Sequence, residues 1–261
     1  MSLLSELFSD LFARQDNALA RIDPRTKLIV ALSILAAVIY SPTPVFPLAI
    51  VIACVAVTVA IGLPCRLIAL RLIAPMGIAG VLLVLQSMFS GSTPLWKFPA
   101  FGFDLTFTRE GWHTGCLMAA RVVGGVSVML LLSSVTPAHR VFLALRSLGI
   151  SKTWVEIAML MYRYTFVLLD LTADVTEAQR VRLGYSNLRR GISSAGVVGG
   201  VVVLRAIDQA VRTNEAMRVR GYKGEIPLGL LPPLAWRDAW IITGSAFVLS
   251  GILISLEVLF R

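Results

Sequence analysis

Long apolar runs constrain this chain more than any other feature. They fall near residues 27–40, 43–62, 68–89, 111–135, 153–173 and 239–260. A helix needs roughly 20 such residues to cross a hydrocarbon core about 30 Å thick. Inside that core the backbone must satisfy itself, which leaves helices or a closed barrel. The runs show no strand-like alternation of apolar and polar residues, so helices remain. Composition agrees: 57% of residues are hydrophobic and 15% charged, with a mean hydropathy of +0.80, far from an ordinary soluble domain. The fold class is an all-α integral membrane protein.

Charge sets the expected topology, because short cytoplasmic loops are rich in Lys and Arg. Arg14, Arg21, Arg25 and Lys27 precede the first run, whereas Tyr40 to Pro44 carries no charge, so the N-terminus belongs in the cytoplasm. Met1 to Phe12 has no basic start and carries Glu6 and Asp10. It reads as a short amphipathic helix at the interface, not as a cleaved signal. Residues 137–237 hold 14 of the 24 Lys and Arg, against 7 acidic residues. If the run 153–173 crossed the membrane, Arg180, Arg182, Arg189 and Arg190 would lie outside, and Glu156, Arg163 and Asp170 would sit in the bilayer. The run is therefore expected not to span. The Val- and Gly-rich stretch 196–204 is about half a span in length and leads into Arg205, Asp208 and Arg212. The expectation is five spans, organised as residues 1–135 with an interfacial helix and four spans, a cytoplasmic block 136–237, and a last span in 238–261.

Within the cytoplasmic block the chain repeats itself. Glu177-Ala178-Gln179-Arg180-Val181-Arg182 returns 38 positions later as Glu215-Ala216-Met217-Arg218-Val219-Arg220. Punctuation predicts three helices here. One starts at Thr136-Pro137 and ends at Gly149, with Phe142, Leu145 and Leu148 on one face. A second is capped by Ser151 and runs to Arg182. A third is capped by Ser193 or Ser194 and ends at Gly221. Glu177 with Arg180, and Glu215 with Arg218, have the i, i+3 spacing that braces a helix. That leaves Arg182 and Arg220 free to project, with forks suited to carboxylates or carbonyls at an interface. Headgroup attraction needs only loosely placed charge; preserved residue order points to a geometry-sensitive partner.

Other chemistry finds little footing. No Gly-Lys pair exists, so there is no phosphate-binding loop. His113 and His139 belong to segments assigned to opposite membrane faces. Cys54, Cys65 and Cys116 are scattered in apolar surroundings. No catalytic, cofactor-binding or metal site is expected. Arg121 in the fourth run is either part of an ion path or a helix-pairing arginine.

With these residues in view, the chain resembles the transmembrane T component of energy-coupling-factor transporters, of the cobalt-type CbiQ family. The resemblance rests on Asp23-Pro24-Arg25-Thr26-Lys27-Leu28, the helix from Thr136-Pro137 to Leu148-Gly149, and the paired arginine motifs. The family's Ala-Arg-Gly-like signatures stand here as Val181-Arg182-Leu183 and Val219-Arg220-Gly221. The resemblance implies a non-catalytic coupling subunit in the bacterial inner membrane, with no nucleic-acid partner. Two cytosolic ATPase subunits, which bind ATP and Mg, would dock on Arg182, Arg220 and their neighbours Arg180, Arg218, Glu177, Glu215 and Gly221. A separate membrane subunit, the S component, would bind the cargo, cobalt or nickel, with room for a small accessory membrane subunit. A T component serving a vitamin, a membrane scaffold and a secondary transporter stand as alternatives. A transporter of the last kind would show inverted repeats of spans, whereas the repeat in this chain lies in the basic block.

Overall fold

A computed structural model describes residues 22–90, 94–100, 103–224 and 236–259. The amphipathic helix expected at Met1 to Phe12 lies outside them. The chain divides into two units, one of residues up to Ala144 together with Pro232–Arg261, the other Leu145–Leu231.

The first unit holds α1 (Pro24–Tyr40), α2 (Val45–Ala60), α3 (Cys65–Phe89), strands β1 (Pro94–Ala100) and β2 (Phe103–Thr108), α4 (Arg109–Val135), most of α5 (Ala138–Ser147), and α8 (Trp236–Leu259). Asp23 starts α1 by accepting the Arg25 amide at 2.9 Å, and Pro24 fills the first helical position. α4 packs against α1, α2 and α3, and α8 against α1. The core gathers Ala31, Cys54 and Val128 in one cluster, and Ala37, Val38 and Phe46 in another. The all-α expectation holds, with one addition between α3 and α4, where β1 and β2 form an antiparallel pair that matches Ala100 with Phe103.

Glycine decides the closest packing. Gly111 and Gly115 stand one turn apart on α4, and a Cβ on Gly111 would run into the carbonyls of Ser90 and Gln86. At Gly115 it would come within 3.0 Å of the Leu83 carbonyl. Small residues four apart let helix backbones meet in a bilayer, where packing and not water exclusion drives association. Thr108 reinforces the seam by donating to the carbonyls of Ser87 and Ser90.

α3 and α4 are long and apolar enough to cross a membrane. The outward side chains of α3, among them Ile73, Met76 and Val81, are more than half exposed, as lipid-facing residues would be. α1, at 17 residues, sits at the short end of the spanning range, and α2, at 16, falls just below it. α7 (Leu188–Val219) meets the same criterion of length and composition. Its apolar stretch 196–204 was expected to be too short, but the helix is continuous for 32 residues, so flanking residues extend it.

The second unit is a hairpin of α6 (Lys152–Val181) and α7. α7 begins six residues earlier than a cap at Ser193 would place it, with Asn187 in the capping position. Ser194 instead lies inside the helix and donates its hydroxyl to the Gly184 carbonyl at 3.0 Å. Far from that turn, the hydroxyls of Tyr164 and Thr213 are bonded at 2.8 Å. Moving back along α6 while moving forward along α7 keeps the partners matched, so the two helices run antiparallel. Between them, near Leu160, Tyr164, Leu168, Gln209 and Thr213, opens a cleft of about 510 Å³.

Candidate docking site

The two copies of the repeated motif form the C-termini of α6 and α7. In each, the second arginine is the C-cap: Arg182 at φ −80°, ψ 12° and Arg220 at φ −81°, ψ 8°. The next residue turns left-handed, Leu183 at φ 56° and Gly221 at φ 80°. The hydrogen bonds match as well. Leu183 N–H donates to the Arg180 carbonyl at 3.0 Å and Gly184 N–H to Gln179 at 2.9 Å; Gly221 N–H donates to Arg218 at 3.0 Å and Tyr222 N–H to Met217 at 3.0 Å. This doubly bonded left-handed cap satisfies carbonyls that a helix end would otherwise leave open. Glycine adopts it freely, whereas Leu183 meets a steric penalty of about 1–2 kcal/mol.

Arg180, Arg182, Arg218 and Arg220 are all exposed, as are Glu177 and Glu215. Arg180 Nη1 bonds Glu177 Oε2 at 3.2 Å on the surface, where such a pair contributes little stability. Among the described residues, the equivalent pair of Glu215 and Arg218 is not formed. The arginine side chains are flanked by apolar residues left in the open: Val181 is 77% exposed, Leu183 67% and Val219 89%. Sequence order did not reveal that collar. An isolated exposed valine is ordinary, but one next to each of two matched arginines gives each tip apolar surface beside its charge, a combination typical of interface anchors.

Each tip thus has a built geometry, but the structure does not bring them together. In an antiparallel hairpin the two C-termini lie at opposite ends. The stretch of α7 from Ser194, beside the first tip, to Arg220 advances about 1.5 Å per residue, so the tips stand on the order of 40 Å apart.

The remaining sequence candidates resolve differently. Arg121 reaches from α4 to the end of α1, where its Nη2 donates to the Ser41 carbonyl at 2.7 Å. It is a helix-pairing arginine, placed where a helix C-terminus favours a cation. Ser151 stands at the N-cap of α6 without a side-chain capping bond. On α5 the buried position is Ala144, and Leu148 is 47% exposed. Among the described residues no three His, Cys, Asp or Glu side chains converge.

Fold and tips together define a multi-pass helical membrane protein that carries a separate helical hairpin with two matched cationic caps. The chain belongs to the CbiQ family of cobalt transport proteins, whose model matches residues 15–228; it is a membrane transport component. An uncharacterized protein of Methanocaldococcus jannaschii is 32% identical over 213 residues, covering 81% of this chain and 80% of that protein. The cobalt transport protein CbiQ of Rhodobacter capsulatus is 36% identical over 95 residues, 36% of this chain and 39% of its own. A protein of Methanocorpusculum labreanum described as a fused cobalt transport protein, CbiMQ, is 26% identical over 202 residues, covering 76% of this chain and 34% of that protein.

Proposed function

We propose that this chain is the coupling subunit of an energy-coupling-factor importer for cobalt or nickel. The observation that carries the reading is the identity of the two arginine caps in backbone angles and hydrogen bonds, despite Leu183 in one and Gly221 in the other. A backbone strain kept to reproduce one cap is more readily explained by a shared docking task than by general headgroup attraction. Two cytosolic ATPase subunits, which hold the ATP and Mg, each take one tip: Arg182 or Arg220 enters a groove, and the apolar collar seals it. A separate membrane subunit carries the metal ion; the fused CbiMQ relative supports a membrane partner of that kind.

The geometry suggests how motion passes through. When ATP draws the ATPases together, the tips must follow. Along α6 and α7 the described side-chain hydrogen bond between the helix bodies is Tyr164 to Thr213, and the neighbouring cleft leaves room for the helices to shear. That shear is the movement delivered to the metal-carrying subunit.

The hairpin works on the cytoplasmic face of the inner membrane, with five spans elsewhere and the N-terminus inside. Although α7 is long enough to span, Arg205, Asp208 and Arg212 are exposed on it, and Arg163 and Asp170 on its partner α6. In lipid these charges would be expensive. A cysteine placed near Arg189 should resist an impermeant thiol reagent added outside intact cells; labelling there would exclude this topology. For docking, the double variant Arg182→Glu with Arg220→Glu should lose co-purifying ATPase and metal uptake. Full retention of both would overturn the proposal.

A further inference from the structure

Where α1 begins and α4 ends, the first unit holds a cleft of about 210 Å³ with almost wholly apolar walls from Val30, Ile34, Leu131 and Leu132. Its polar residues collect in one place. Thr26 and Thr136 line the cleft at 1% and 3% exposure, and neither hydroxyl has a hydrogen-bond partner among the described residues. Both sit at helix ends, Thr26 in the first turn of α1 and Thr136 as the C-cap of α4. Thr26 therefore lacks the preceding helical carbonyl that Thr58 and Ser127 use elsewhere in this unit. A buried hydroxyl with no partner is costly and rare in a folded protein. Lys27 lines the same cleft, and the charge of Arg140 acts upon it. Nearby, Arg25 has a buried Nε without a partner. Asp23, the acidic group of this cluster, accepts the Arg25 amide, and its charge acts on Lys27 in the opposite sense to that of Arg140.

A ligand that answers all of this has an apolar chain at one end and an anionic, multiply accepting head at the other. Free phosphate would leave the apolar slot empty, and a neutral chain would leave the cations and hydroxyls unanswered. We infer that this cleft is a binding site for an anionic phospholipid, with one acyl chain between α1 and α4 and the phosphate held by Lys27, Thr26 and Thr136. The donor is the surrounding leaflet, since both helices belong to the membrane-embedded unit.

The test uses the full chain, purified in detergent, stripped of lipid, and titrated separately with phosphatidylglycerol, phosphatidylcholine and inorganic phosphate while its melting temperature is followed. Phosphatidylglycerol should raise the melting temperature and bind at least about fivefold more tightly than phosphatidylcholine, as one lysine at the headgroup implies; phosphate should have no effect. Lys27→Gln should erase the preference between the lipids. Ala31→Phe, which fills the slot, should remove the shift while Lys27 stays in place. Native mass spectrometry of the unmodified chain gives a readout free of variant folding: one retained anionic phospholipid supports the site. Equal binding of both lipids, a shift with phosphate alone, or no retained lipid would overturn it.

Discussion

Arg182 and Arg220 occupy one and the same backbone conformation, within 1° in φ and 4° in ψ, although Leu183 follows the first and Gly221 the second. The local sequences differ where the cap is most demanding, and the geometry does not.

That difference has a thermodynamic consequence. Leu183→Gly should stabilise the protein by roughly 1 kcal/mol, because it relieves a left-handed penalty of about 1–2 kcal/mol at some cost in unfolded-chain entropy. Leu183 is largely exposed, so little burial is lost. Gly221→Leu should destabilise by about 1–2 kcal/mol. Thermal unfolding of both variants measures the pair; a melting temperature lowered by Leu183→Gly would contradict the cap.

Arg121 ties α4 to the end of α1 through the Ser41 carbonyl. Arg121→Met should cost about 1.5–3 kcal/mol, the range for a hydrogen bond to a charged group. Denaturant titration in detergent reports it. An unchanged midpoint would mean that the bond contributes nothing net.

Gly111 meets the carbonyls of Ser90 and Gln86 so closely that any side chain must push the helices apart. Gly111→Ala is expected to destabilise by about 1–3 kcal/mol through overpacking. Gly77, with open space around its Cβ position on α3, serves as the control: Gly77→Ala should be neutral or mildly stabilising.

Ser194 latches α7 to the turn through Gly184. Ser194→Ala should cost about 0.5–1.5 kcal/mol and increase hydrogen exchange at the amides of Leu183 and Gly184, while those of Gly221 and Tyr222 at the other tip stay as they were.

Much of this architecture is legible in the sequence because apolar length and charge placement are one-dimensional signals. The run ending near Val135, the stop at Gly149 and the two arginine helix ends fall where composition put them. The start of α7 does not, since Asn187, Ser193 and Ser194 are all acceptable caps and only the contact between Ser194 and Gly184 distinguishes them. The hairpin of β1 and β2 is hidden because Pro94 and Pro99 break the alternation that marks strands. A left-handed leucine leaves only a faint trace in sequence. Its signal is the glycine displaced by one position, at 184 in one motif and 221 in the other. The distance between the tips is equally silent, being a property of how α6 and α7 pair.

Because its two tips point away from each other along paired rods of 30 and 32 residues, the hairpin is a gauge: its span is written in residue count. Deleting a single turn from both rods would shorten it by about 5 Å with every arginine, cap and collar intact. Such a chain should fold, insert and present two faultless handles, yet on the docking role proposed above it would fit its partners no better than a key cut to the right profile on a shank of the wrong length.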